Sequence, residues 1–199
     1  MTEKPINVEK YNWQVAALGL LRQFLILSIV VTMQQFLISA KRAKLLEDPT
    51  LVRAFSERLG CEISLRDGKE VVITGDPFDE YTAKNVMQAF ARGFDIDTAC
   101  RLLSDEYYFK SIDLKDIFSK KERIQRIKAR IIGKEGRAKE YMQSISGAEL
   151  SIYGDTVSVI GTVEELRIIN AALDILIEGG THKKAYVVME KAKRNVRGR

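Results

Sequence analysis

Residues 59–65 and 146–152 carry one pattern twice, 87 positions apart: Leu59-Gly60-Cys61-Glu62-Ile63-Ser64-Leu65 and Ser146-Gly147-Ala148-Glu149-Leu150-Ser151-Ile152. A duplicated pattern restricts the chain to folds built from two related units. In each copy a helical stretch ends at the glycine, the residue that best closes a helix. An alternating strand follows, carried by Ile63 and Leu65 or by Leu150 and Ile152. Asp67-Gly68 and Gly154-Asp155 then supply hairpin turns, and Val71-Val72-Ile73 and Val157-Ser158-Val159-Ile160 supply second strands. Each unit closes with an amphipathic helix. Leu166, Ile169, Leu173, Leu176 and Ile177 recur at helical spacing in the second copy, and Tyr81, Val86, Phe90 and Phe94 belong to its counterpart in the first. The expected fold is α+β, two small related domains in tandem.

Composition narrows the chemistry. At 199 residues, with 46% apolar and 30% charged side chains, the chain is globular and long enough for one or two cores. It holds two cysteines, Cys61 and Cys100, and one histidine, His182. No CxxC or HxxxH spacing exists, so neither a zinc site nor a cofactor is expected. No Walker loop or isolated acid pair points to an enzyme or a small-molecule substrate. Two thiols without an export signal read as reduced and intracellular, which implies the cytoplasm.

Charge is unevenly placed. Residues 62–118 hold 12 acidic and 7 basic side chains, whereas residues 119–199 hold 17 basic and 10 acidic ones. A polyanion is the natural partner of the basic part.

Within it, Arg123-Ile124-Gln125-Arg126-Ile127-Lys128-Ala129-Arg130-Ile131-Ile132 reads as a helix, with Ile124, Ile127 and Ile131 on one face and Arg123, Arg126 and Arg130 on a neighbouring one. Gly133-Lys134-Glu135-Gly136 breaks it, and a second helix follows from about Arg137. Helix, GxxG, helix, strand and strand is the core of a KH domain, whose loop clamps the backbone of four nucleotides. The glycines let phosphates approach the main chain, and the start of the next helix offers free N–H groups and a positive dipole end. Lys134, Arg137 and Lys139, with Arg126 and Arg130, add charge; Ile132, Leu150 and Ile152 are expected to support an aliphatic groove for bases. At the repeat offset the first copy has Leu46, Glu47, Asp48 and Pro49 instead, so its clamp is degenerate.

These segments, with the edge strand Ser111-Ile112-Asp113-Leu114, resemble the archaeal and eukaryal two-KH family of small-subunit assembly factors, the partner-of-Nob or Dim-two family. The resemblance implies two tandem KH-like domains of type I, the first degenerate, packed through a short helical linker. The expected divisions are an apolar extension at 1–32, the degenerate domain at 33–94, the linker at 95–110, the GxxG-bearing domain at 111–180 and a basic tail at 181–199. It further implies a non-enzymatic factor that binds single-stranded small-subunit rRNA near its 3′ end, beside a PIN-domain endonuclease that trims that end. Gly133, Lys134, Glu135 and Gly136 carry over as the clamp, and no RNA contact is transferred to the first domain. A second reading is a docking scaffold for a nuclease or a translation initiation factor, with RNA contact secondary.

Residues 15–32 are largely apolar, but Arg22 and Gln23 interrupt them, which makes a marginal membrane span. The repeat unit can begin at Met33, which points to Met33 as the natural start.

Overall fold

The computed structural model describes residues 34–197, so the extension at 1–32 and the Met33 start lie outside the described residues. The first unit runs β1 (Gln34–Leu37), α1 (Ala40–Ala43), a 3-10 turn (Lys44–Glu47), α2 (Pro49–Leu59), β2 (Glu62–Arg66), β3 (Glu70–Thr74) and α3 (Pro77–Ala91). A connector holds α4 (Ile96–Cys100) and a second 3-10 turn (Arg101–Leu103). The second unit runs β4 (Tyr108–Asp113), α5 (Leu114–Ile117), α6 (Lys121–Ile132), a 3-10 turn (Lys134–Gly136), α7 (Arg137–Ser146), β5 (Glu149–Tyr153), β6 (Thr156–Gly161), α8 (Val163–Ile177) and α9 (His182–Arg197). Each unit forms a three-stranded antiparallel sheet with its last strand in the middle: β1-β3-β2 and β4-β6-β5. The duplicated sequence is therefore a duplicated topology, β-α-α-β-β-α, the KH fold of type I.

Local chemistry explains the element ends. Asp48, Asp76 and Thr162 cap α2, α3 and α8 through side-chain oxygens, and Pro49 and Pro77 occupy first-turn positions where no N–H is missed. Thr162 and Glu165 form a reciprocal capping box on α8.

The units share an extensive boundary. Leu150, Val157 and Val159 point into the second unit's own core, while Ile160 packs into the core of the first. The sheet β4-β6-β5 is thus covered by its helices on one face and by the first unit on the other. That is why every residue of β6 is buried, including Thr156 and Ser158. Ser151 Oγ donates to the Arg92 carbonyl at 2.8 Å, Arg92 donates to Thr156 Oγ1 at 3.1 Å, and Ser39 and Tyr153 share a hydroxyl hydrogen bond of 2.6 Å. The Phe94 and Phe109 rings meet edge to face at 6.4 Å across the same boundary.

Three expectations are corrected. Residues 182–197, expected as a basic tail, form a packed helix: α9 lies against α7 and α8 and buries Ala185 and Met189 completely. Ala185, Met189, Ala192 and Val196 sit at helical spacing and face the second unit's core, so the domain extends well past residue 180. The linker ends before Tyr108, which already pairs with Gly161 in β4. Tyr81, placed on the buried face of α3, is 65% exposed.

Both cysteines are free thiols, and burial pushes the pKa of each up. No described helix is long and apolar enough to cross a membrane.

Candidate nucleic-acid interface

The loop between α6 and α7 is shaped by its two glycines. Gly133 sits at φ 76°, ψ 176°, a region essentially reserved for glycine, and a Cβ there would lie 2.5 Å from the Cβ of Ala138. Gly136 adopts the left-handed conformation at φ 81° and serves as the N-cap of α7. Between them Glu135 also has positive φ, at 54°. The chain thereby folds back so tightly that Ala138, 5% exposed, packs under Gly133. Gly133→Ala is expected to lower the melting midpoint by roughly 5–10 °C, from about 2–3 kcal/mol of strain and collision. Thermal melting followed by circular dichroism checks it.

What this bend leaves open is the start of α7. Gly136 has no side chain to cap the helix, so the first-turn amides that a Ser, Thr or Asp would satisfy remain available. In the first unit the equivalent position is filled. Asp48 accepts from the Thr50 amide at 2.9 Å, and Leu46 is buried at 4% exposure. The chain's own carboxylate stands where an external anion would sit on α7.

Around the loop, Lys134, Glu135 and Arg137 are exposed and Lys139 is half-buried. Arg137 donates to Glu135 at 2.7 Å in an exposed pair worth little to stability. Glu135 still draws charge away from the loop's basic side chains. Glu135→Gln is expected to tighten RNA binding about two- to fivefold, steepening the salt dependence by up to roughly one phosphate contact. Affinity titrations at three salt concentrations check it.

The orientation of α6 divides the remaining candidates into two groups. Lys128 lies 3.3 Å from Asp155 in the β5–β6 turn, and Lys115 reaches the same carboxylate at 3.3 Å. Lys115 first, and Lys128 with it, hold the Asp155 carboxyl below the usual aspartate range, so this tie is intact at neutral pH and is lost only as pH falls through the depressed value. It fixes which flank of α6 faces the hairpin. Ile132, one turn beyond Lys128, shares that flank and is 37% exposed; Ile152 on β5 is half-buried. Leu150 is not on this surface. It is 2% exposed within the core, too deep for contact with any ligand on the surface.

Arg126 and Arg130 fall on the opposite flank. At about 100° per residue the row Arg123, Arg126 and Arg130 turns away from the hairpin, toward the end of α8. There Arg130 Nη2 donates to the Gly180 carbonyl at 2.5 Å, and His182 Nε2 sits 2.8 Å from the Arg130 carbonyl. These two arginines thus lie on a flank of α6 other than the one that carries Lys128 and Ile132. Periodicity overlooked Lys128, which ties α6 to the hairpin, and Ala138, the small residue that the bend requires. Their signals are weak: one lysine among nine basic residues, and one alanine just after the loop.

Two β-α-α-β-β-α units, one with an uncapped helix behind a GxxG bend, define a tandem KH protein. The model of the second KH domain of PNO1, described as a eukaryotic type KH-domain (KH-domain type I), matches residues 108–194, a span that takes in most of α9. The chain belongs to the Pno1/Dim2 family. It is 33% identical over 150 residues to the KH domain-containing protein MJ0443 of Methanocaldococcus jannaschii, covering 73% of this chain and 66% of that one. It is 30% identical over 132 residues to the pre-rRNA-processing protein pno1 of Schizosaccharomyces pombe, covering 65% of this chain and 54% of that protein. The chain thus spans less than two thirds of the length of these relatives. Among solved structures it resembles a chain of the a/eIF2alpha-aDim2p-rRNA complex from Pyrococcus horikoshii, with a TM-score of 0.71, 28% identity, and coverage of 82% of this chain and 95% of that one.

Proposed function

We propose that the second unit holds single-stranded small-subunit rRNA near its 3′ end, and that the chain acts in the cytoplasm as a non-enzymatic assembly factor beside a PIN-domain nuclease. The observation that carries this reading is the uncapped start of α7 behind Gly133 and Gly136. A phosphate seated there takes the place of the missing capping side chain and meets the positive end of the helix dipole. Lys134 and Arg137 add charge that positions the strand without reading it. Ile132 and Ile152 offer aliphatic surface on the flank that faces the hairpin, where unstacked bases can lie. Gly133, Lys134, Glu135, Gly136, Arg137 and Lys139 with these two residues form the proposed site. The pre-rRNA-processing names of the relatives and the rRNA in the similar complex support the substrate class.

The test is direct titration of a fluorescent 3′-terminal rRNA oligonucleotide, with the loop variant Lys134→Asp, Glu135→Asp as control. Binding that the loop variant does not weaken contradicts the reading.

The presence of a/eIF2alpha in the similar complex favours a second role, recruitment of an initiation factor. The acidic stretch 62–118 is the candidate docking region. A pull-down with a/eIF2alpha that survives the loop variant supports this role as separate from the clamp.

A further inference from the structure

Arg126 and Arg130, expected to add charge for RNA, line a cleft of their own with Arg123. The space between α6 and the turn after α8, about 580 Å3, is lined by Arg123, Arg126, Ile127, Ala129, Arg130 and Gly179. No acidic side chain lines it, and none of the three arginines forms an ion pair among the described residues. Two of them are held by neutral groups instead. The Arg123 guanidinium lies over the Phe118 ring at 4.4 Å, and Arg130 is anchored on the Gly180 carbonyl.

A neutral anchor has a specific consequence. It fixes the rotamer of a long side chain, so less ordering entropy is lost when a ligand arrives, yet it leaves the full positive charge uncompensated. A planar guanidinium fork matches phosphate oxygens in two-point contacts. Three of them along α6 make a row about 10 Å long, at 1.5 Å per residue.

We propose that this cleft is a second RNA-backbone site, engaging a stretch of RNA outside the nucleotides held in the clamp. The inference rests on the RNA reading of the loop. Continuity favours RNA over an acidic protein: Arg130 lies three residues before Gly133, within one helical turn, so RNA seated at the loop is already at the cleft's edge. The flank differs, however, so a short strand in the clamp cannot fill both. A longer RNA passes from one flank of α6 to the other around the end of the helix.

The test is the full chain carrying Arg123→Gln and Arg126→Gln, with Arg130 kept because it holds the α8–α9 turn. Both substituted side chains are exposed, and an unchanged melting midpoint verifies the fold. Two probes are titrated: a single-stranded RNA of about six nucleotides, just longer than the four that a KH clamp holds, and a long 3′-terminal small-subunit rRNA fragment. The expected result is unchanged affinity for the short probe within twofold. Affinity for the long fragment should fall about tenfold, with a salt slope smaller by roughly 1.4, or 0.7 for each lost single-strand phosphate contact. Equal losses on both probes would return the arginines to the clamp and overturn the proposal. No loss on either, or a loss confined to an acidic protein partner, overturns it as well. Failure of the clamp reading is distinguishable, because the short probe would then not bind the unsubstituted chain.

Discussion

With Lys134 and Glu135 both replaced by Asp and the glycines kept, affinity for a single-stranded 3′-terminal rRNA oligonucleotide is expected to fall roughly 30- to 150-fold. The change removes one cation and adds one anion within a few ångströms of the bound phosphates. At the dielectric of an exposed loop that costs about 2–3 kcal/mol. The fold should be indifferent. Both side chains are exposed, and neither fills the space under Gly133, which belongs to Ala138. Asp also tolerates the left-handed backbone at position 135 better than most residues do. The melting midpoint should therefore stay within about 2 °C of the unsubstituted chain, at under 1 kcal/mol. Affinity within threefold of the original would move RNA contact off the loop.

The second large effect concerns stability. Met189→Ala is expected to lower the melting midpoint by roughly 5–15 °C, from a loss of about 2–4 kcal/mol. Met189 is completely buried, and α9 is fastened at several further points. Tyr141 donates to Glu190 at 2.7 Å, the Tyr141 and Tyr186 rings lie 4.3 Å apart, and Lys193 donates to the Ile145 carbonyl at 2.6 Å. A chain cut after Gly180 loses all of these together with Ala185, so it should melt lower still. Such a truncation therefore cannot serve as a clean test of charge in the C-terminal region. A drop under 2 °C for Met189→Ala would mean that α9 adds little to the second unit.

The sequence made the architecture legible because the duplicated strands and turns keep both their spacing and their hydrophobic alternation. Ile124, Ile127 and Ile131 are buried as their period requires, and the GxxG bend falls where the helix breaks. The duplication fades upstream of α2 for a physical reason. The first unit replaces the 12-residue α6 with the four-residue α1 and a 3-10 turn, so no register survives there. In α9 the spacing of Ala185, Met189, Ala192 and Val196 was present, but a preponderance of lysines and arginines masks a narrow apolar stripe. The flank taken by Arg126 and Arg130 was not readable at all. Helical period gives the angle between side chains, whereas contacts distant in sequence, Lys128 with Asp155 and Arg130 with Gly180, decide what each flank meets. Leu150 and Ile152 show the same limit on a strand. Alternation puts them on one face, and only the depth of packing separates a core residue from a half-exposed one.

The most direct measurement is a titration of nitrogen-15-labelled protein with a short single-stranded 3′-terminal rRNA oligonucleotide, followed through backbone amide shifts. The largest changes should fall on Gly133, Gly136, Ala138 and Lys139, the bend and the uncapped first turn of α7. Amides that stay still there, while others move in the first unit or along α9, would contradict an RNA backbone held against this loop.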